Sequence, residues 1–277
     1  MAKTLTIRYT SDTHGYLYPT NYADMQDRPM GLMKLASEYP HDGNTLIIDG
    51  GDTIQGSPLT NLYQRLSPEE KAACLSEDTY GTHPIAAMMN LAGYQFVTLG
   101  NHDFNYGVDA LMDYLTNLDA LCLCANIRDR EGRLPIAPYA VHRLENGLRV
   151  GLVGVCTHFV RRWENPKTVE KLVIEEPIPA AKAALDAVKP LCDVTVLIYH
   201  GGFECDFGNR RAADRQRRES GLPPLPRAGL RSRADRPPAY ARGRRALLQQ
   251  LCRAADLPRA ALLRNHRHRG GRRQQAL

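Results

Sequence analysis

The sequence predicts an α/β fold built in layers around a mixed sheet, and three observations carry that prediction. Short β-branched apolar runs alternate with segments of helical periodicity. Two neighbouring runs are spaced to pair as a hairpin. The alternation then stops at Asp206. Strand–helix alternation gives parallel strands covered by helices, the hairpin adds an antiparallel strand, and 277 residues suffice to bury a substantial core.

In chain order, residues 5–10 (LTIRYT) read as a first strand and 31–39 (GLMKLASEY) as a helix. Residues 45–49 (TLIID) form a second strand, and 83–93 (HPIAAMMNLAG) a helix leading to the strand 95–99 (QFVTL). A helix at 108–118 and a strand at 121–125 (LCLCA) follow. Residues 139–155 (YAVHRLENGLRVGLVGV) hold two alternating runs joined through Asn146-Gly147, the pair that a type I′ turn prefers. The helix at 178–190 has Pro179 near its start, where the missing N–H costs nothing, and Pro190 as its stop. The strand 194–199 (VTVLIY) completes the series.

The overall charge of +6 conceals a split. From Phe207 onward there are 19 Arg, no Lys and 4 acidic residues, a net of +15, against −9 for residues 1–206. The pI near 9.0 therefore belongs to the tail, and it does not mark the body as a nucleic-acid binder. The tail has no aromatic platform or groove-fitting helix, which argues against a nucleic-acid partner there too. Seven Cys form no CxxC pair and sit mostly in apolar runs, so buried free thiols are expected rather than disulfides or a thiolate zinc site. No apolar run is long enough to span a bilayer and the start lacks a signal-peptide stretch, so a soluble, cytoplasmic chain without a membrane partner is expected.

Four of the strands run directly into polar residues: Ser11-Asp12-Thr13-His14-Gly15, Asp49-Gly50-Gly51-Asp52-Thr53, Gly100-Asn101-His102-Asp103 and His200-Gly201-Gly202. Loops after parallel strands converge on one sheet edge, where ligand sites form. Two Asp, an Asn and two His gathered there make an oxygen-and-nitrogen donor set that suits Mn, Zn, Fe or Co better than Ca. Asp49 reads as a support for its loop. His41, His83, His142 and His158 lack motif context and read as surface or packing residues.

Taken together, these clusters resemble the calcineurin-like metallophosphoesterases, and within them the 5′-nucleotidase/2′,3′-cyclic-nucleotide 2′-phosphodiesterase family. The resemblance covers residues 4–206. GDTIQGSPL (51–59) and GNHDFNYG (100–107) look most like the cyclic-phosphodiesterase and 3′-nucleotidase branch. It implies a layered mixed-sheet sandwich and two divalent metal ions, with a nucleotide or other phosphate ester as substrate. Asp12 and His14 would bind the first metal, Asp52 would bridge both, and Asn101 and His200 would bind the second. His102 would be an unliganded imidazole that stabilises the transition state or protonates the leaving oxygen. The 5′-nucleotidase pattern carries an Asp three residues after that His; here the position is Asn105, which can orient His102 but brings no charge. Asp103 has two readings, a cap for the following helix or a direct catalytic role.

The family also has a strand ending in Gly-His-x-His, whose two His complete the metal shells. No such sequence occurs here. Asn265-His266-Arg267-His268 is the nearest surrogate, but no apolar strand is expected before it, and Arg267 adds positive charge. Shifting the reading frame by one base after Asp206 admits DLETG at the break, an apolar strand plus Gly-His-x-His over residues 229–241, and an alternating strand over 264–268. Residues 1–206 are thus read as a partial catalytic domain, and 207–277 as a disordered Arg/Pro/Ala-rich tail translated out of frame after a single-base insertion. Activity is expected to be impaired by the missing element. The alternatives are an inactive metal-binding remnant and, behind it, a nucleic-acid binder acting through the basic tail.

Overall fold

The computed structural model describes residues 3–74, 82–202 and 260–264. In chain order these form β1 (Thr6–Thr10), α1 (Leu32–Ala36), β2 (Thr45–Asp49), α2 (Pro58–Arg65), α3 (Pro68–Cys74), α4 (Pro84–Leu91), β3 (Phe96–Val97) and α5 (Val108–Thr116). Next come β4 (Leu121–Leu123), β5 (Ile127–Asp129), β6 (Ile136–Ala137), β7 (Tyr139–Arg143), β8 (Arg149–Cys156), α6 (Val160–Trp163) and α7 (Pro166–Val169). The series ends with β9 (Leu172–Ile174), α8 (Pro177–Val188), β10 (Val194–His200) and β11 (Ala260–Arg264).

Two sheets result. The first is parallel throughout, in the order β1-β2-β3-β4-β6. The second runs β11-β10-β8-β7, with β7 antiparallel to β8 and the remaining pairs parallel, as the mixed-sheet prediction requires. A small antiparallel pair, β5 with β9, stands apart.

The period of two along β2 explains the layering. Leu46 and Ile48 join Leu152, Val196 and Ile198 in the core between the sheets. Ile47, pointing the other way, joins Ile85, Met89, Leu111 and Tyr114 of α4 and α5. Every residue of β2 is buried for that reason. On the far side of the second sheet, α8 buries Ala181, Ala184, Leu185 and Val188. The result is two sheets face to face with helices outside.

Several elements differ from the sequence-based expectation. α2 was not expected, although its cap is legible: Ser57 Oγ accepts the Thr60 N–H and Pro58 occupies the first turn. β5, β6 and β9 are too short to show a pattern. The hairpin forms, but not with a type I′ turn. Leu144 N–H bonds to Leu148 O, and Gly147 is left-handed (φ 77°) while Asn146 is not. Asn146 instead uses its side-chain oxygen to accept the Leu148 N–H. Cys122, Cys124 and Cys156 are buried free thiols, as their apolar context predicts.

The tail was expected to contain no strand, and β11 corrects that. Ala260–Arg264 pairs in parallel with β10, with Arg264 opposite Tyr199. Its AALLR sequence lacks β-branched residues, so the strand signal was invisible, while the edge of β10 supplies a row of backbone partners. A strand thus does lead into Asn265-His266-Arg267-His268, although those four residues lie outside the described ones, as do Asp206 and the Gly229–Ala241 segment.

Candidate metal centre

β1, β2 and β3 are parallel, so the loops that follow them leave one edge of the first sheet together. The first two are zipped by backbone bonds: Asp12 N–H to Gly51 O (2.9 Å), His14 N–H to Asp52 O (3.0 Å) and Gly15 N–H to Thr53 O (2.7 Å). The loop after β3 is clamped to the second by Asp103. Its carboxylate is buried and accepts four backbone N–H groups, from Asp52 (2.9 Å), Thr53 (2.7 Å), Ile54 (3.1 Å) and Gly100 (2.8 Å). The second sheet joins through His200, whose Nδ1 meets Gly50 O at 2.7 Å across 150 residues of sequence.

Three residues in this knot are held in the left-handed region: Asp12 (φ 55°), His14 (φ 49°) and Asp52 (φ 58°). Each costs about 1–2 kcal/mol relative to an ordinary conformation, and Asp and His are among the residue types that tolerate it best. Such strain marks positions that the surrounding structure fixes for a purpose. At Gly100 a side chain is excluded altogether, because a Cβ would collide with Asp52 and come within 2.7 Å of His200 Cε1.

The donor atoms converge. One ligand atom from each of Asp12, His14 and Asp52 lies within 4.8 Å of the others. His14 Nε2 is 3.9 Å from Asp12 Oδ1 and 4.0 Å from Asp52 Oδ2, and His200 Nε2 is 3.2 Å from Asp52 Oδ2. In both rings Nδ1 faces a backbone carbonyl, Gln55 O (2.8 Å) for His14 and Gly50 O (2.7 Å) for His200. An Nδ1–H donated to a carbonyl leaves the Nε2 lone pair free to face a cation, the usual arrangement for metal-bound imidazoles. Ser11 Oγ donates to Asp12 Oδ2 at 2.8 Å.

The electrostatics also call for a positive charge. Burial raises the Asp12 carboxyl above its ordinary range. For His200, burial alone would lower the pKa, but the hydrogen bond and charge of Asp52, with Asp12 behind it, raise it to about 9. Burial likewise opposes ionisation of Asp52, yet His200 beside it draws its carboxyl below the usual value. Without another cation, this donor set recruits a proton onto His200. A bound divalent ion would displace that proton, so the residues present fit a metal.

Asn101 is placed by its neighbours. It opens the short 3₁₀ turn Asn101–Phe104, between Gly100 and His102, whose N–H bonds to Asp52 Oδ1 at 2.7 Å. The His102 ring stands edge-on to His14, with centroids 5.4 Å apart. Its Nδ1 lies 2.7 Å from Asn105 Oδ1, and Asn105 Nδ2 in turn donates to Glu164 Oε1. Both Asp103 oxygens are occupied by backbone N–H groups. Asp103 holds the loops, with the Gly100 bond as its share of capping. Asp49 is a support as expected, accepting from Thr10 Oγ1, Thr53 Oγ1 and the Gly51 N–H.

His83 is a packing histidine. It is fully buried between Tyr63 and Tyr114, and its Nδ1 accepts the Ile85 N–H at the start of α4. Sequence reasoning missed Glu164, which no motif announces, and the carbonyls of Gly50 and Gln55, which no sequence reading reveals. Among the described residues no helix is long and apolar enough to cross a membrane.

The model of the calcineurin-like phosphoesterase family matches residues 5–220. The chain belongs to that family. Its match to the family extends past the composition change at Asp206. Rat 5′-nucleotidase is 30% identical over 218 residues, which are 73% of this chain and 34% of the relative. The trifunctional nucleotide phosphoesterase protein YfkN of Bacillus subtilis is 28% identical over 72% of this chain, but only 14% of its own length is matched. The chain thus spans about a third or less of those curated relatives. Among solved structures, a putative 5′-nucleotidase from Staphylococcus aureus superposes with a TM-score of 0.61 at 30% identity, covering 73% of this chain and 38% of the other. The calcineurin-like phosphoesterase YfkN of B. subtilis gives 0.61 at 26% identity, covering 76% and 64%.

Proposed function

We propose that this chain hydrolyses nucleotide phosphate esters, of the 5′-/3′-nucleotidase or 2′,3′-cyclic-nucleotide 2′-phosphodiesterase type, with two divalent ions. The observation that carries the reading is the convergence of Asp12, His14 and Asp52 within 4.8 Å, with His200 against Asp52 and the His102 ring against His14. The names of the relatives support nucleotides as the substrate class.

Asp12 and His14 would hold one ion and Asn101 and His200 the other, with the carboxylate of Asp52 shared between them. Bound divalent ions supply Lewis-acid polarisation of phosphoryl oxygens and a water of lowered pKa. The protein's own residues do the rest. The Asp103 clamp fixes the Asp52 loop against Gly100. The carbonyls of Gln55 and Gly50 orient the two ring ligands. His102, anchored at Nδ1, presents Nε2 as the atom that passes a proton to the leaving oxygen.

Because the Gly-His-x-His element is missing, turnover is expected to fall well below that of a chain with complete shells. The test is phosphate release from 5′-AMP, 3′-AMP and 2′,3′-cyclic AMP with added Mn, beside D52N and a frame-restored chain. Mn-dependent release that D52N abolishes and frame restoration increases is the expected result. No release from either the native or the restored chain would remove the reading.

A further inference from the structure

Asn105 is exposed, and an exposed asparagine can turn either its oxygen or its nitrogen toward a neighbour. Which atom faces His102 decides what that imidazole can do. With Oδ1 toward Nδ1, the ring carries Nδ1–H, and Nε2 can take and release a proton while Nδ1–H stays bonded. With Nδ2 toward it, Nδ1 must remain a bare acceptor, and the doubly protonated ring would face two N–H groups.

Glu164 removes the ambiguity. A carboxylate only accepts, so the Asn105 group facing it must be Nδ2–H, and that turns Oδ1 onto His102. Its backbone is prearranged. The Glu164 N–H closes α6 on Val160 O at 3.0 Å, Val160 is fully buried in the core, and Asn165 begins α7 by capping Lys167. No ion pair engages Glu164 among the described residues, so its carboxylate stays available to Asn105.

We propose that Glu164 is a positioning residue for His102, acting through the Asn105 amide. It selects the Nδ1–H form of the ring. This rests on the hydrolase reading above only for its kinetic consequence. Asn105 and Glu164 together then supply the acceptor polarity that a single Asp at position 105 would give.

The test uses the full chain. ¹⁵N–¹H correlation spectra of the histidine rings, recorded without metal at alkaline pH and assigned with H102Q, report which His102 nitrogen carries the proton. The unsubstituted chain and E164Q should both show the Nδ1–H form, since the Gln oxygen still accepts. E164A should show a mixture or the Nε2–H form. Kinetically, E164A should lower kcat for a nucleoside monophosphate about 10-fold with KM within about twofold. The loss for bis(p-nitrophenyl) phosphate should be under about threefold, because p-nitrophenolate leaves without a proton. E164Q should recover most of the nucleotide activity. An unchanged His102 tautomer in E164A overturns the proposal, as does a loss that is equal for both leaving groups. If neither the native nor the frame-restored chain releases phosphate with any metal, the hydrolase reading fails separately and the tautomer result alone decides this one.

Discussion

Replacing Asp103 by Asn tests the claim that one buried carboxylate holds the centre together. Each of its oxygens accepts two backbone N–H groups, Thr53 and Ile54 on Oδ1, Asp52 and Gly100 on Oδ2. An asparagine keeps one such oxygen and turns an NH₂ group against the other two N–H donors. Two buried N–H groups left unsatisfied cost about 1–3 kcal/mol each, or about 2–6 kcal/mol together. Part of that is returned. Burial, and then the charge of Asp52, raise the Asp103 carboxyl above its ordinary range, so removing its charge relieves an unfavourable burial. The expected net destabilisation is about 2–4 kcal/mol, a large fraction of a typical domain's stability. Urea unfolding at neutral pH without metal measures it. Calorimetric titration with Mn should show an affinity loss of about 10-fold or more, because Asp52 loses the loop that aims it. D103A, which orphans all four donors, should be worse on both counts. Unfolding of D103N within about 0.5 kcal/mol of the native chain, with Mn affinity unchanged, would refute the clamp.

Two further outcomes follow from the geometry. G100A forces a methyl group against Asp52 and the His200 ring, so Mn affinity should drop at least about 10-fold while far-UV circular dichroism is retained. Burial holds His83 down to about 4, below its ordinary 6.5. Its contribution to stability is therefore complete above pH 6.5 and is lost as pH falls toward 4, by about 3 kcal/mol in all. H83N keeps a capping oxygen for Ile85 and cannot titrate, so its urea midpoints should fall less steeply over that pH interval. Identical pH profiles for the two chains would exclude His83 as the source.

The candidate ligands were legible because each cluster is local. Asp12 and His14 stand two residues apart after an apolar strand, Asp52 follows β2 by three residues, and His200 ends β10 itself. Apolar runs bury themselves and polar residues at their ends do not, so strands and loop chemistry could be read together. The roles of supporting residues were not legible. Asp103 works on N–H groups about 50 residues away, His200 on a carbonyl 150 away, and Glu164 on an amide 59 away. The type I′ expectation failed because the Leu144–Leu148 closure leaves a three-residue loop with only Gly147 left-handed, where type I′ needs two residues. β11 was missed because Ala and Leu carry no strand signal until an open edge pairs with them.

The sequence by itself determined the layered α/β class, the order of the main strands and the residue types delivered at their ends. Local periodicity is enough to decide which side chains seek the core. Only the tertiary structure decided which way each polar group faces. It turned Nδ1 of His14 and His200 onto carbonyls, gave Asp103 to the backbone and set Glu164 beside Asn105. Those choices depend on hydrogen-bond partners, such as Gly50 for His200 and Asn105 for Glu164, that lie 150 and 59 residues apart in sequence and become neighbours only when the loops and the two sheets come together.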